Sequence, residues 1–235
     1  MDSLVAQVDV VLSDARRAAI PGAIGDALDR SGALVAAPVA GIRNHTAPSA
    51  SPLSVAIDGP GMFVFESDGK RMYGRLGDFS IDARGALVDG RGRAVVGVIE
   101  PSSQPDVKRL VPIRIDLSKR YAGYSIDDRG TLSALADGKR DTLGRLVLAV
   151  FPASERMARA DDTSVVATPA AGVPRFFSPG DANVGVLATH ALENSIVDIG
   201  GDLARVWRLR RRGELAAAQA GASDECVRDA LGLVK

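Results

Sequence analysis

From Leu53 to about Val166, short apolar runs alternate with Gly/Asp turns, and this spacing constrains the fold more than any other feature. The runs include "FSIDARGALVDGRGRAVVGVI", "VPIRIDL", "GYSIDDRGTLSAL", "LGRLVLAVF" and "TSVVAT". Turn signals this close together predict an antiparallel sheet rather than βαβ units. One stretch, "LSVAIDGPGMFVF", begins as a strand, with Leu53, Val55 and Ile57 alternating against Ser54, Ala56 and Asp58. Gly59-Pro60-Gly61 then interrupts it, and Met62 to Phe65 reads as strand again. Pro60 at i+1 and Gly61 at i+2 suit a tight type II turn or a sharp bend. A strand that bends there can leave one sheet and begin another.

An internal echo marks two more turns. "FSIDARGALV" and "YSIDDRGTLS" both run strand, Asp-x-Arg-Gly, strand. Asp82 and Asp127 are expected to accept bonds from the turn backbone, and Gly85 and Gly130 to take positive φ.

Helical signals flank the β region. Leu4, Val8, Val11, Ala15 and Ala18 fall at steps of four and three, a seam spacing, and Pro21-Gly22 ends the run. A second, weak helix is expected from about Ala23 to Val35. "APVAGIRNHTAPSASP", from Ala37 to Pro52, reads as a linker. After the loop "ATPAAGVPRFFSPGDANVG", residues 191–235 read as helical, with Ile196, Ile199, Leu203 and Val206 as an apolar stripe. The expected organisation is an N-terminal helical segment (1–36), a linker (37–52), a β domain (53–190) and a C-terminal helical segment (191–235). The fold class is mainly β with α-helical termini: a compact antiparallel β domain flanked by helices that pair as a coiled-coil-like unit.

Composition excludes several classes of function. Lys plus Arg and Asp plus Glu are 29 each, so a neutral chain offers no bulk attraction to nucleic acid or an anionic membrane. No run approaches the ~20 apolar residues of a membrane span, and none is expected to insert. Aromatics are only 4%, which predicts a thin core and argues against a ligand pocket lined with rings. No phosphate-binding glycine loop, nucleophile elbow or zinc-binding HExxH is present. The Gly59–Gly61 segment opens a strand, whereas a phosphate loop opens a helix. His45 and His190 read as solvated loop residues. Asp127, Asp128, Asp137 and Asp141 lack EF-hand spacing, and Asp161-Asp162 reads as a turn. Cys226, the only cysteine, lies on an apolar stripe and reads as buried. The basic run Arg208, Arg210, Arg211, Arg212 reads as a solvated face, or as a subunit contact meeting carboxylates such as Glu214 or Asp202 of a neighbour. No catalytic residue, cofactor or metal site is expected.

The stretch Leu53 to Gly97 resembles the signature of bacterial flagellar basal-body rod and hook proteins. Its motif residues are Ile57, Gly59, Gly61 and Phe63, then Tyr73, Arg75, Gly77 and Phe79, then Asp82, Gly85, Leu87 and Val88. Met62 and Gly74 depart from the usual aromatic and Thr. "LGRLVLAVFPASERMARADDTSVVATPAAG" and "GVLATHALENSIVDI" are similar to the later sheet and the entry to the C-terminal helix in the distal rod members. "RRRGELAAAQAGASDECV" keeps Arg211, Glu214, Asp224 and Glu225, with Gly213 where an aromatic is usual. "ALVAAPVAGIRNH" replaces the family's usual N-terminal motif.

The resemblance implies a structural, non-enzymatic subunit of the rod, active in motility through self-assembly. Its implied partners are copies of itself in a helical polymer, other flagellar rod and hook subunits, and the flagellar export apparatus. Its implied place is the periplasmic rod of the basal body, reached without a cleaved signal peptide. The start Met1-Asp2-Ser3-Leu4 has no basic or long apolar run. Leu4, Val8, Val11, Ile199, Leu203, Val206, Arg211 and Glu214 are the expected assembly interface. Gly59, Pro60, Gly61, Asp82, Gly85, Asp127 and Gly130 are expected as structural turns. A surface β domain that binds protein or glycan is the alternative from another class.

Overall fold

The computed structural model describes residues 10–16, 23–24, 26–28, 34–36, 46–99, 109–136, 138–182, 184–194, 204, 207–208 and 211. In chain order its strands are β1 (Asp26–Leu28), β2 (Leu34–Ala36), β3 (Thr46–Pro48), β4 (Val55–Asp58), β5 (Met62–Ser67), β6 (Lys70–Gly74), β7 (Phe79–Ile81), β8 (Leu87–Asp89), β9 (Ala94–Val98), β10 (Val111–Pro112), β11 (Tyr124–Ile126), β12 (Thr131–Ala136), β13 (Lys139–Leu146), β14 (Leu148–Val150), β15 (Ala158–Arg159), β16 (Ser164–Val166), β17 (Arg175–Phe177), β18 (Val186–Thr189) and β19 (Ala191–Glu193).

Every pairing among these strands is antiparallel. One large sheet runs β11-β12-β13-β9-β5-β6-β16-β15, with β7, β8, β10, β14 and β17 attached beside that path. Three small ribbons lie apart from it in the pairing: β1 with β2, β4 with β18, and β3 with β19. The last two ribbons each pair a segment from before Gly59 with one from after Gly185, and together they form a neck where these segments meet.

The central strands are buried on both faces. Along β5, Met62 and Val64 join one cluster with Tyr73, Val96, Ala149 and Phe151. Phe63 and Phe65 point the opposite way, into a second cluster with Ile57, Phe79, Leu87, Leu132 and Leu148. The period-2 alternation of a strand divides the side chains between the faces. Edge-to-face ring pairs tighten each cluster, Tyr73 with Phe151 at 4.8 Å and Phe63 with Phe79 at 5.1 Å. The thin core expected from scarce aromatics is instead two cores back to back, filled mostly by aliphatic side chains.

The flanks differ from the sequence reading. Where a second helix is expected over 23–35, Ala23 and Ile24 are buried, Ile24 in the first cluster, and β1 pairs with β2. Arg159 donates to the Ile24 carbonyl, and Ile24 N–H donates to that of Asp162. The expected linker contains β3, and the expected C-terminal helix begins as β19. Ala191, Leu192 and Glu193 are good helix formers, but their pairing with Pro48, Ala47 and Thr46 overrides local preference. The expected loop 167–185 holds β17, which adds to β14.

Coiled-coil-like pairing of the terminal helices is not supported. Residues 10–16 are helical, but they bury Val10 and Asp14, while Val11 is half-buried and Ala15 exposed. Of the C-terminal segment, Ala204, Trp207, Arg208 and Arg211 are helical and share one face at i, i+3, i+4, i+7 spacing. All four are exposed, Trp207 at 66%, where a paired helix buries a stripe.

Candidate functional site: an arginine clamp at the neck

The β4 strand leaves its partner β18 at Asp58, and the chain enters the large sheet at Met62. Gly59 and Gly61 make that transfer with φ of 121° and 125°. These values lie in a region open to glycine and well past the roughly +80° of a type II turn. A Cβ on Gly59 would meet the Gly185 Cα at 2.7 Å, so two backbones touch here. Gly185 N–H donates to the Pro60 carbonyl at 2.8 Å.

The bend leaves three carbonyls pointing inward, and Arg75 takes them. Its Nη1 donates to the Gly59 and Gly61 carbonyls at 3.0 and 2.7 Å, and its Nη2 to that of Ile57 at 2.7 Å. Its Nε donates to both oxygens of Glu193 at 2.8 Å. Arg75 is 1% exposed and Glu193 is fully buried. The rigid fork of a guanidinium suits this task, because it presents donors in two directions at once. One side holds the Gly-Pro-Gly bend and the other holds the last residue of β19. Burial pushes the Glu193 carboxyl above the ordinary carboxylate range, against the charge and hydrogen bond of Arg75, which pull it down. Such a pair, once desolvated, adds little net stability by its attraction alone. What it secures is the position of the neck.

A second buried arginine lies farther out. Arg93 donates from Nε to Asp89 at 2.7 Å, and from Nη1 to Asp161 and to Ser164 Oγ, both at 2.7 Å. Its guanidinium stands 5.0 Å over the ring of Phe65. Asp89 also builds a turn: its Oδ1 accepts from the Arg91 and Arg93 amides.

That turn is the third of a kind. Asp82 Oδ1 accepts from the Arg84 and Ala86 amides, and Asp127 Oδ1 from those of Arg129 and Thr131. Gly85, Gly92 and Gly130 follow with φ of 77°, 78° and 76°. In each, the glycine N–H donates to the aspartate carbonyl, the geometry of a three-residue hairpin loop closed by a G1 bulge.

The other expected site residues are placed less fully. Leu4, Val8, Ile199, Leu203, Val206 and Glu214 lie outside the described residues, as do His45, Asp137 and Cys226. Val11 is half-buried and Arg211 exposed. His190 sits exposed with φ 53° at the turn between β18 and β19. Asp141 pairs with Lys119 at 3.1 Å, and Asp161 both builds its expected turn, with Oδ1 accepting the Thr163 amide at 2.9 Å, and joins the Arg93 network. Sequence reading missed Glu193 and Arg93 as buried partners. It also missed the Asp89 turn, although Asp89-Gly90-Arg91-Gly92 repeats the same Asp-x-Arg-Gly pattern.

Residues 56–134 match the flagellar hook protein FlgE/F/G D1 domain. That span covers the bend, Arg75, Arg93 and all three Asp-x-Arg-Gly turns. Among curated relatives, the flagellar basal-body rod protein FlgG of Caulobacter vibrioides is 25% identical over 75% of this chain and 63% of its own length. The proteins of that name from Buchnera aphidicola (from Acyrthosiphon pisum) and Agrobacterium fabrum are 26% and 27% identical, over 81% and 92% of this chain and 70% and 80% of theirs. The chain thus spans just under two thirds of the Caulobacter protein. Over this region the chain is similar to flagellar hook and rod proteins.

Proposed function

We propose that this chain is a structural subunit of the flagellar basal-body rod and works by assembly rather than catalysis. The observation that carries the reading is the D1 match over 56–134 together with relatives named as rod proteins. In this reading the chain packs into a helical polymer with copies of itself and with other rod and hook subunits. It reaches the periplasmic rod through the flagellar export apparatus. Contacts of this kind are heterologous and do not close, which is what builds a filament.

The terminal segments are the assembly surface, and the arginine clamp fixes the direction in which they leave the β body. The exposed face of Ala204, Trp207, Arg208 and Arg211 supports this, since it presents the Trp207 ring for a neighbour to cover. Leu4, Val8 and Val11 at one end and Ile199, Leu203, Val206 and Glu214 at the other complete the surface. Deleting the gene and imaging basal bodies tests the function: truncated rods restored by the wild-type gene are expected. Complete rods in the deletion strain would overturn it. Leu203→Asp with Val206→Asp tests the surface, and normal rods containing that variant would remove the helices from assembly.

A further inference from the structure

The β4–β18 and β3–β19 ribbons meet at a corner that is built unequally on its two sides. On one side β18 ends at Thr189, β19 opens at Ala191, and His190 alone lies between them. On the other side the whole segment from Ser49 to Ser54 separates β3 from β4. Thr189 faces Val55 on one flank of the corner, and Ala191 faces Pro48 on the other. Extra residues in one strand of an antiparallel pair bend that strand and turn the ribbon.

His190 makes the bend with φ of 53°. Among the described residues only Asp68 is another non-glycine residue with positive φ, and the tight Asp68-Gly69 turn between β5 and β6 accounts for it. No two-residue hairpin turn accounts for His190. Its carbonyl accepts the Ser49 amide at 2.8 Å, which closes the corner. The long side is anchored by a relay: Ser49 Oγ donates to Ser54 Oγ at 3.0 Å, and Ser54 Oγ donates to Asp78 Oδ1 at 3.0 Å. Ser54 is fully buried, and Leu53 beside it joins the second core cluster. Asp78 directly precedes β7, so the relay ties the corner to the large sheet. Just past the corner, Glu193 ends β19 with its carboxylate 2.8 Å from Arg75 Nε.

We propose that this corner is an angle-setting device. The left-handed backbone of His190 turns the short side, and the Ser49–Ser54–Asp78 relay holds the long side. Together they fix the angle between the two ribbons and so deliver Glu193 to Arg75. His190 and Ser54 are positioning residues in this sense, acting on the neck through the backbone and through Asp78. The corner is a property of the single chain; only its use in aiming the terminal segments within a rod rests on the rod reading.

The test is a distance measurement by pulsed electron paramagnetic resonance on the whole chain, free in solution. Spin labels on Thr46→Cys and Lys70→Cys, both exposed positions, report the β3–β19 ribbon against the large sheet in a Cys226→Ser background. A turn of about 30° in a ribbon about 10 Å long moves the Thr46 label by about 5 Å. His190→Val is expected to shift the mean distance by about that much, because a β-branched residue resists positive φ. His190→Asn accepts positive φ and is expected to keep the wild-type distance. Ser54→Ala frees the long side and is expected to broaden the distribution, while near-ultraviolet circular dichroism shows the aromatic core unchanged. Wild-type distributions in both His190→Val and Ser54→Ala overturn the proposal. An equal shift in His190→Val and His190→Asn overturns it too, because the angle would then depend on the imidazole. If His190→Val does not fold, a wild-type distribution in Ser54→Ala is enough to overturn it. The distances are read on the free chain, so the rod reading survives their failure, and complete rods in the deletion strain would remove that reading without touching the corner.

Discussion

Arg75 and Arg93 are both buried, both charged, and both bonded to carboxylates, yet they do different work. Arg93 is local on one side only: Asp89 lies four residues away, and the turn that Asp89 builds has further donors of its own. Its remaining partners, Asp161 and Ser164, come from the far edge of the large sheet. Arg75 is almost entirely non-local, with Glu193 118 residues along the chain. It also donates to three backbone carbonyls, those of Ile57, Gly59 and Gly61. Removing Arg93 should loosen an edge, whereas removing Arg75 should open the neck that joins the β body to both chain ends.

The sharpest break of the comparison is Arg75→Ala. It strands a buried carboxylate and the bend carbonyls together, and a loss of about 3–5 kcal/mol is expected in urea unfolding. Limited proteolysis should then cut the chain near β19 before the large sheet is attacked. Glu193→Gln keeps the bonds to Ile57, Gly59 and Gly61 and should cost clearly less. If the two variants are equally stable, the carbonyl bonds contribute nothing and the clamp is only an ion pair.

Arg93→Ala comes second, at about 1.5–3 kcal/mol, the range for hydrogen bonds to charged groups. Asp89→Ala should match or exceed it, because the same side chain also caps the turn. Asp82→Ala and Asp127→Ala lack that second duty and should lose about 0.5–1.5 kcal/mol each. Thermal melts of the four variants give the order, and equal losses at all three aspartates would mean that Arg93 gains nothing from Asp89.

The same contrast explains what was legible in the sequence. The Asp-x-Arg-Gly turns can be read directly, because the aspartate bonds amides two and four residues on and no distant partner is needed. The break at Gly59-Pro60-Gly61 is legible too, since alternation stops and resumes around it. Arg75 appears among the family motif residues, but nothing local identifies Glu193 as its partner. "ALEN" reads as helix by propensity, and only the pairing with β3 makes it a strand. Short three-residue strands such as β1, β2 and β3 carry too few residues for a period to register.

Gly61→Val ranks third and probes the bend without touching either charge. With φ at 125° and a new Cβ only 3.1 Å from that of Leu148, a cost of about 1–2 kcal/mol is expected. The melting temperature should fall while the Arg93 network stays intact. An unchanged melt would mean that the bend relaxes freely and that Arg75 does not depend on its shape.

The smallest effect separates the two arginines by sign rather than by size. Burial pushes the Asp161 carboxyl up, but the hydrogen bond from Ser164, the Thr163 amide and the charges of Arg93 and Arg91 outweigh it, leaving the group below its usual 3.8. The folded state therefore releases this proton more readily than the unfolded chain does. Its stabilisation is present above the ordinary aspartate range and is lost as pH falls through the folded value. Glu193 runs the other way, because burial raises it above 4.5 despite Arg75. Its contribution is complete below the unfolded value and is lost as pH rises through the folded one. Stability curves of wild type against Asp161→Asn should diverge on the acid side, with wild type losing more as pH drops below about 3.8. Curves against Glu193→Gln should diverge above 4.5, with wild type losing ground as pH rises. If both pairs diverge in the same direction, Glu193 is held by Arg75 as an ordinary strong ion pair. The neck would then owe its stability to charge, and the carbonyl bonds of Arg75 would no longer distinguish it from Arg93.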